Sequence, residues 1–343
     1  MRIEDIRRRL AGLGAKPGHT DRLLRAWTHA RPLRGEDEDA DRRPPAPVCA
    51  ALPALAAELA ALARIRSTHA AEDGSARLLV ELADGQTVES VLLPRDGLCV
   101  STQVGCAVGC SFCMTGRDGL LRQLTSTEIV AQVVLGRSQR PVKKVVFMGM
   151  GEPAHNLDNV MEAIATLGGY ANIGHKNLVF STVGDRRVFE RLPLGPVKPA
   201  LALSLHTTDA ERRRQLLPKA PAIEPAELVA LAEDYARKTG YPIQYQWTLL
   251  EGVNDSDEEM ARLADLLAGK YAVMNLIPYN SNEGMGYRRP SADRIATIIR
   301  YLHGRGILAK PRQSAGQDID GGCGQLRARA GLAQRQSASQ RTR

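Results

Sequence analysis

Aromatic side chains are scarce in this chain of 343 residues: Phe, Trp and Tyr together make up 4 % of it. The apolar share is nevertheless 43 %, so a sizeable core is available and has to be built mainly from Leu, Ala, Val and Ile. Long apolar runs are missing too. The most apolar stretch, residues 48–65, is largely Ala and is broken by Pro53 and Glu58. It falls short of the roughly 20 apolar residues that cross a bilayer. The opening MRIEDIRRR carries charge throughout and has no apolar segment behind it, which excludes a secretory leader of the usual pattern. The expectation is a soluble, cytoplasmic protein. Cysteine is sparse: Cys49, Cys99, Cys106, Cys110, Cys113 and Cys323. In a reducing compartment, three thiols within eight residues form a metal-binding or catalytic group rather than a disulfide framework.

Positive charge is plentiful. The formal net charge is +8 and the pI about 9.3, which favours a polyanionic partner such as nucleic acid and says nothing about fold.

Residues 1–30 read as two short helices. Ile3, Ile6, Leu10 and Leu13 share a face of the first, which Gly14 can end, and Leu23, Leu24 and Trp27 follow a start signal at Thr20 and Asp21. Residues 31–47 are charged and Pro-rich, a linker or loop. An Ala-rich helix then runs to about Arg64, completing a helical region over 1–64. Within 65–94, turn signals at Asp73-Gly74 and Asp84-Gly85 predict a small antiparallel sheet. From residue 95 to about 328 the pattern changes to strand–helix alternation. Apolar runs at 97–101, 144–150, 177–182, 200–206, 243–250 and 272–278 alternate with helical patterns at 126–135, 159–167, 225–237, 257–267 and 292–303. This predicts an α/β fold: a parallel sheet covered by helices, closed only as far as a partial (β/α)6 barrel. Its chemistry is expected at the C-terminal ends of the strands. Residues 329–343 are Gln/Ser/Arg-rich and read as a disordered basic tail.

The strongest chemical signal is Cys106-Ala-Val-Gly-Cys110-Ser-Phe-Cys113, on a loop after a predicted strand. Thiolates are the natural ligands of iron–sulfur clusters. Three of them on a four-iron cluster leave one iron open, a place for the amino and carboxylate groups of S-adenosylmethionine (SAM). The competing reading is a structural zinc site, but such sites usually close with four ligands in paired knuckles, and no second knuckle is present. Gly149-Met-Gly-Glu152-Pro ends the next strand, where a carboxylate can receive a cationic amine and glycines let a ligand approach the backbone.

These two motifs resemble the radical-SAM superfamily. Further residues narrow the resemblance to the subfamily that methylates adenine carbons in RNA: the 23S-rRNA/tRNA adenine-C2 methyltransferases and their C8-acting resistance relatives. The matching runs are Leu98-Cys99-Val-Ser-Thr-Gln-Val-Gly-Cys106, Ser181-Thr-Val-Gly184, Ser204-Leu205-His206, Gly252-Val-Asn-Asp255, Asn275-Leu-Ile-Pro-Tyr-Asn280 and Gly316-Gln-Asp-Ile-Asp-Gly-Gly-Cys323-Gly-Gln-Leu326. They keep family order across residues 76 to 326. A weaker echo, Leu13-Gly-Ala-Lys-Pro17 followed by Trp27, lies in the N-terminal helices.

The resemblance implies that Cys106, Cys110 and Cys113 hold one [4Fe-4S] cluster, and that Gly151, Glu152, Ser181, Ser204, Leu205, His206 and Asn280 contact SAM. It implies that Cys323 is methylated by one SAM, and that a second, cleaved at the cluster, gives the 5′-deoxyadenosyl radical that takes a hydrogen from that methyl group. Cys99 would deprotonate the adduct and close a transient disulfide with Cys323 to free the product. Glu89 aligns with the family's proposed proton acceptor. The implied partners are rRNA or tRNA and an electron donor such as flavodoxin or ferredoxin; a monomer is the default expectation. An adenine C2 or C8 is too weakly nucleophilic for direct transfer from SAM, so a cofactor-borne radical answers a real chemical need. Cys49, outside every motif, reads as a small apolar side chain.

Three departures stand out: Val183 where the family has Ser, Pro218-Lys219-Ala220 where it has Pro-x-Asn, and a divergent N-terminal region. They leave every cluster ligand and both catalytic thiols in place and bear on the choice of RNA. Arg117, Arg122, Lys143, Lys144, Arg186, Arg187, Arg212, Arg213, Arg288 and Arg289 are candidates for phosphate contact near the mouth, or solvated surface charge. The open alternatives are C8 or another RNA methylation, and a non-catalytic RNA-binding protein with a structural metal site.

Overall fold

The structure is a computed structural model and describes residues 1–35, 43–282 and 284–328. The expected tail at 329–343, and residues 36–42 of the expected linker, lie outside the described residues. Three helices lead: α1 (Ile3–Gly12), α2 (Pro17–Thr28) and α3 (Ala46–Ala61). The strands β1 (Ala63–Ala70), β2 (Ala76–Leu82), β3 (Thr87–Leu93) and β4 (Gly97–Cys99) follow, then the short pair β5 (Gln103–Gly105) and β6 (Leu120–Gln123). The alternating part runs α4 (Ser126–Gln139), β7 (Lys144–Phe147), α5 (Leu157–Tyr170), β8 (Leu178–Thr182), α6 (Arg186–Arg191), β9 (Ala200–Ser204), α7 (Ala210–Leu216) and α8 (Pro225–Thr239). It ends β10 (Ile243–Leu249), α9 (Asp257–Leu267), β11 (Ala272–Pro278), α10 (Ala292–Gly304) and β12 (Ala309–Pro311).

Ten strands form one sheet in the order β1-β2-β3-β4-β7-β8-β9-β10-β11-β12. Pairing from β4 through β12 is parallel, whereas β1 to β4 pair antiparallel. The six apolar runs are the six strands β4, β7, β8, β9, β10 and β11. They are legible because such strands are buried on both faces and read as continuous apolar runs. With β1 and β12 at its edges the sheet stays open, as a partial barrel requires. The β1–β3 hairpins extend this same sheet instead of forming one of their own.

Helix starts follow their caps. Thr125 Oγ1 accepts the Glu128 N–H while Glu128 Oε2 accepts the Thr125 N–H at 2.8 Å, a reciprocal box opening α4. Ser256 and Ser291 cap α9 and α10, and Pro225 opens α8. Two expectations are corrected. The α2 helix begins at Pro17, not at Thr20, because proline sits well at the first helical position. The Ala-rich helix ends at Ala61, since Ala63 already pairs with Leu82 in β1. Ile3, Ile6, Leu10, Leu23, Leu24 and Trp27 are buried in the same core as the barrel. Ile3 N–H donates to Ser126 Oγ at 2.9 Å, and Arg137 ties the Thr28 and Ala171 carbonyls at 2.7 and 2.6 Å. Among the described residues, no helix is long and apolar enough to cross a membrane.

Candidate active site

The cysteine loop leaves β5 and returns through β6. Gly105 has φ +79°, and a Cβ there would stand 2.0 Å from the Gly119 carbonyl oxygen, so only glycine closes this pair. Cys106 N–H donates to that same oxygen at 3.0 Å. The loop then packs Val108 and Phe112 against Val183, Leu216, Leu217, Leu250 and Tyr279, an apolar seat at the C-terminal strand ends.

Above it lies a cavity of about 890 Å³, its open mouth included, lined by Cys106, Cys110 and Cys113 together with Gly151, Glu152, Ser181, Ser204 and His206. Cys323 lines it too, so the structure brings nine of the candidate residues to one place. Leu205 is fully buried and lines neither cavity; its N–H donates to the Gln246 carbonyl at 3.1 Å. Asn280 is buried beside the cavity: Nδ2 donates to Ser314 Oγ and to the Cys323 carbonyl, both at 3.0 Å, and Oδ1 has no partner among the described residues.

Burial dominates the electrostatics. It pushes the Cys106 thiol up to about 12 and the Cys110 and Cys113 thiols up as well, the neighbouring thiols adding to the shift on Cys106 and Cys110. Without a bound cation these groups stay protonated. Coordination deprotonates a thiol outright, and soft sulfur donors select iron–sulfur or zinc over hard cations. Among the described residues, no three His, Cys, Asp or Glu side chains converge as one mononuclear ion requires. The three thiols line one cavity, and thiolates are the donors that hold iron–sulfur clusters.

Glu152 is raised to about 7, chiefly by burial. Oε1 accepts the Ala154 N–H at 3.1 Å and Oε2 the Val183 N–H at 3.0 Å, linking the ends of β7 and β8. At the Ser-to-Val departure, Val183 contributes its backbone amide to Glu152 and its side chain to the apolar seat. His206 takes φ +63°, uncommon for a side chain of its size. Its Nδ1 accepts the Thr248 N–H at 3.0 Å, its ring meets Phe112 edge-on at 4.9 Å, and burial followed by Arg213 lowers its basicity to about 3. It is a neutral imidazole with Nε2 as the N–H donor.

Asn254 explains the Gly-Val-Asn-Asp motif. Its Oδ1 accepts the Leu250 N–H, and its Nδ2 donates to the His206 and Thr248 carbonyls, all at 2.8 Å. Asn254→Ala strands one buried donor and two acceptors. A loss of about 2–4 kcal/mol is expected, seen as a lower urea midpoint at unchanged m-value.

A second cavity of about 1270 Å³ adjoins the first and holds Cys99. Cys113, Thr115, Met148, Gly149, Arg312, Cys323 and Gly324 line both. Burial, then Cys323, raises the Cys99 thiol to about 12. Every cysteine is free, so Cys99 and Cys323 are not joined. Glu89 lines neither cavity. Cys49 lies in α3, half-buried, its Sγ 3.4 Å from the Pro44 carbonyl.

One candidate phosphate contact, Arg213, is corrected, because it is buried. Arg122, Lys143, Arg186, Arg187, Arg212 and Arg288 form ion pairs with acidic neighbours. Arg213 is buried, 4 % exposed, and bonds the Val183 and Ser204 carbonyls under the site. Arg312 was missed. Its guanidinium donates to Gln246 Oε1 at 2.7 Å between the two cavities, and with Lys310 it depresses Lys144, behind the burial that dominates that shift.

Comparison with known proteins agrees with this geometry. Residues 100–264 match the Radical SAM superfamily. A probable RNA methyltransferase of Aromatoleum aromaticum is 74 % identical over 96 % of this chain and 93 % of its own length. One from Dechloromonas aromatica is 68 % identical over the same shares. A solved radical SAM methyltransferase from Sphaerobacter thermophilus is 35 % identical, with a TM-score of 0.81, over 96 % of this chain and 98 % of that one. The chain belongs to the radical SAM superfamily and, within it, to the family of these SAM-dependent methyltransferases.

Proposed function

We propose that the protein methylates a ring carbon of adenine, C2 foremost, in rRNA or tRNA, and that Cys323 carries the methyl group. The observation that carries this reading is the placement of Cys323, which lines both the cavity holding the three-cysteine loop and the one holding Cys99.

The residues present fit the family's cofactors. Cys106, Cys110 and Cys113 would hold the four-iron cluster, and the orphaned Oδ1 of Asn280 together with Glu152, Ser181, Ser204 and the His206 N–H offers polar partners for SAM. When bound, the cluster and SAM supply carbon-radical chemistry, reduced by a flavodoxin- or ferredoxin-like donor. The chain's own part is position and release. Cys323 sulfur holds the methyl carbon within reach of both cavities. In the release step a Cys99–Cys323 bond forms as the bond between Cys323 sulfur and the product carbon breaks. The electron pair leaves with that carbon, which takes up a proton, and an external thiol restores the two cysteines.

Support for a polyanionic substrate comes from the positive groups around the second cavity. Arg95 and Arg312 line it, and Lys144 and Lys310 lie near Arg312. The base must leave its stack to enter. The test is incubation of the reduced, cluster-loaded protein with SAM and bulk RNA, followed by digestion to nucleosides. 2-Methyladenosine is the expected product, 8-methyladenosine would move the site of methylation, and no methylated adenosine would contradict the reading.

A further inference from the structure

The segment carrying Cys323 runs outside the main sheet, so its position is set by what it is tied to. On the inner side it binds the cysteine loop: Met114 N–H donates to the Gly324 carbonyl at 2.8 Å, and Thr115 Oγ1 to the Leu326 carbonyl at 2.6 Å. On the outer side it is held by the turn between β1 and β2 and by β3. Asp73, in the turn before β2, accepts the Gly316 N–H through Oδ2 at 3.0 Å. Glu89, in the middle of β3, accepts the Arg327 and Ala328 N–H groups through Oε2 at 2.8 and 3.0 Å. Its Oε1 takes the Arg77 guanidinium.

We propose that Glu89 is a positioning residue: with Asp73 it clasps the Cys323 segment at both ends, and so fixes the reach of Cys323 between the two cavities. Several facts favour this over proton exchange with the base. Glu89 is 1 % exposed, and both its oxygens are engaged. It lies on the same face of β3 as Val91, which lines the second cavity, but two positions before it, and it lines neither cavity itself. A carboxylate takes two adjacent amides and a guanidinium at once because charge-assisted bonds are roughly twice as strong as neutral ones. Removing it strands all three partners in a buried place, and Arg77 already has an unpartnered Nε. The role assigned to Cys323 rests on the methyl-carrier reading above; the clasp itself does not.

The test is hydrogen–deuterium exchange of the anaerobically purified, cluster-loaded protein, comparing wild type with Glu89→Ala, Glu89→Gln and Asp73→Ala. The same samples are assayed for 5′-deoxyadenosine, for methyl on Cys323 and for RNA methylation across pH. In Glu89→Ala the Arg327 and Ala328 amides should exchange at least about tenfold faster, the loss of charge-assisted bonds to a local opening equilibrium. SAM cleavage should continue while RNA methylation falls, with its pH profile unchanged in shape. Glu89→Gln keeps an acceptor oxygen and should fall between. Asp73→Ala changes an exposed turn, leaves the fold intact, and should loosen the segment from Gly316 and uncouple the reaction in the same way. Unchanged exchange in Glu89→Ala overturns the clasp. So does a Glu89→Gln protein with wild-type exchange and no methylation, which would assign Glu89 to proton transfer. An unmethylated Cys323 in the wild type would refute the carrier reading and leave the exchange result to decide the clasp.

Discussion

Cys323→Ala abolishes RNA methylation and leaves SAM cleavage in place. Loss of a group that forms a covalent bond in the reaction lowers the rate by at least about 10³-fold, and no neighbouring side chain can substitute. Cys99, another thiol of the second cavity, lines that cavity alone and is pushed up to about 12 by burial, whereas Cys323 lines both. The substitution removes one sulfur from a half-buried cavity wall, so stability changes by less than about 1 kcal/mol. The inner ties of the segment use the Gly324 and Leu326 carbonyls and survive the change. The check is paired: 5′-deoxyadenosine by chromatography, and methylated adenosine in digested RNA. Retained methylation would remove Cys323 from the reaction.

The second large effect is expected at the cysteine loop. Cys110→Ala lowers bound iron from about four per chain to a small fraction of that, and SAM cleavage falls with it, because three thiolates are the whole protein contribution to such a cluster. Burial, then Cys113 and Cys106, pushes the Cys110 thiol well above its ordinary value. That burial is unfavourable for a free thiolate and is offset only by bound iron, so affinity for the cluster and release of protons are linked. Cys110 packs against the edge of the apolar seat of Val108, Phe112, Val183, Leu216 and Leu217, whose own side chains are untouched in Cys110→Ala and should keep the loop folded. Iron and sulfide analysis of anaerobically purified protein checks the outcome. A full complement of iron together with retained cleavage would contradict the assignment.

Much of this was legible in the chain itself, for reasons that can be named. The six inner parallel strands show as apolar runs, and α4, α8, α9 and α10 start where Thr125, Pro225, Ser256 and Ser291 signal them. β12 was missed because three residues ending in Pro311 give no run to read. β5 and β6 were missed because their register is set by the contact of Gly105 with Gly119 rather than by side-chain pattern. Arg213 was misread as a surface cation since it sits in the charged run 212–214. Helical phase carried the missing signal: Arg213 shares a face with Leu216 and Leu217, which are buried, while Arg212 and Arg214 point outward. For Glu89 the resemblance implies a proton acceptor, and the contacts behind the clasp lie beyond local reach. Its amide partners lie 238 and 239 residues away, a distance no local pattern reports. Arg312 had no local signal either, following a strand too short to predict.

The most direct test of the central claim is mass spectrometry of the peptide containing Cys323, from protein purified without oxygen after expression with SAM available. A methyl increment on Cys323, beside about four irons per chain, is the predicted result. A cluster-loaded protein with Cys323 unmodified, still able to methylate RNA, would contradict it.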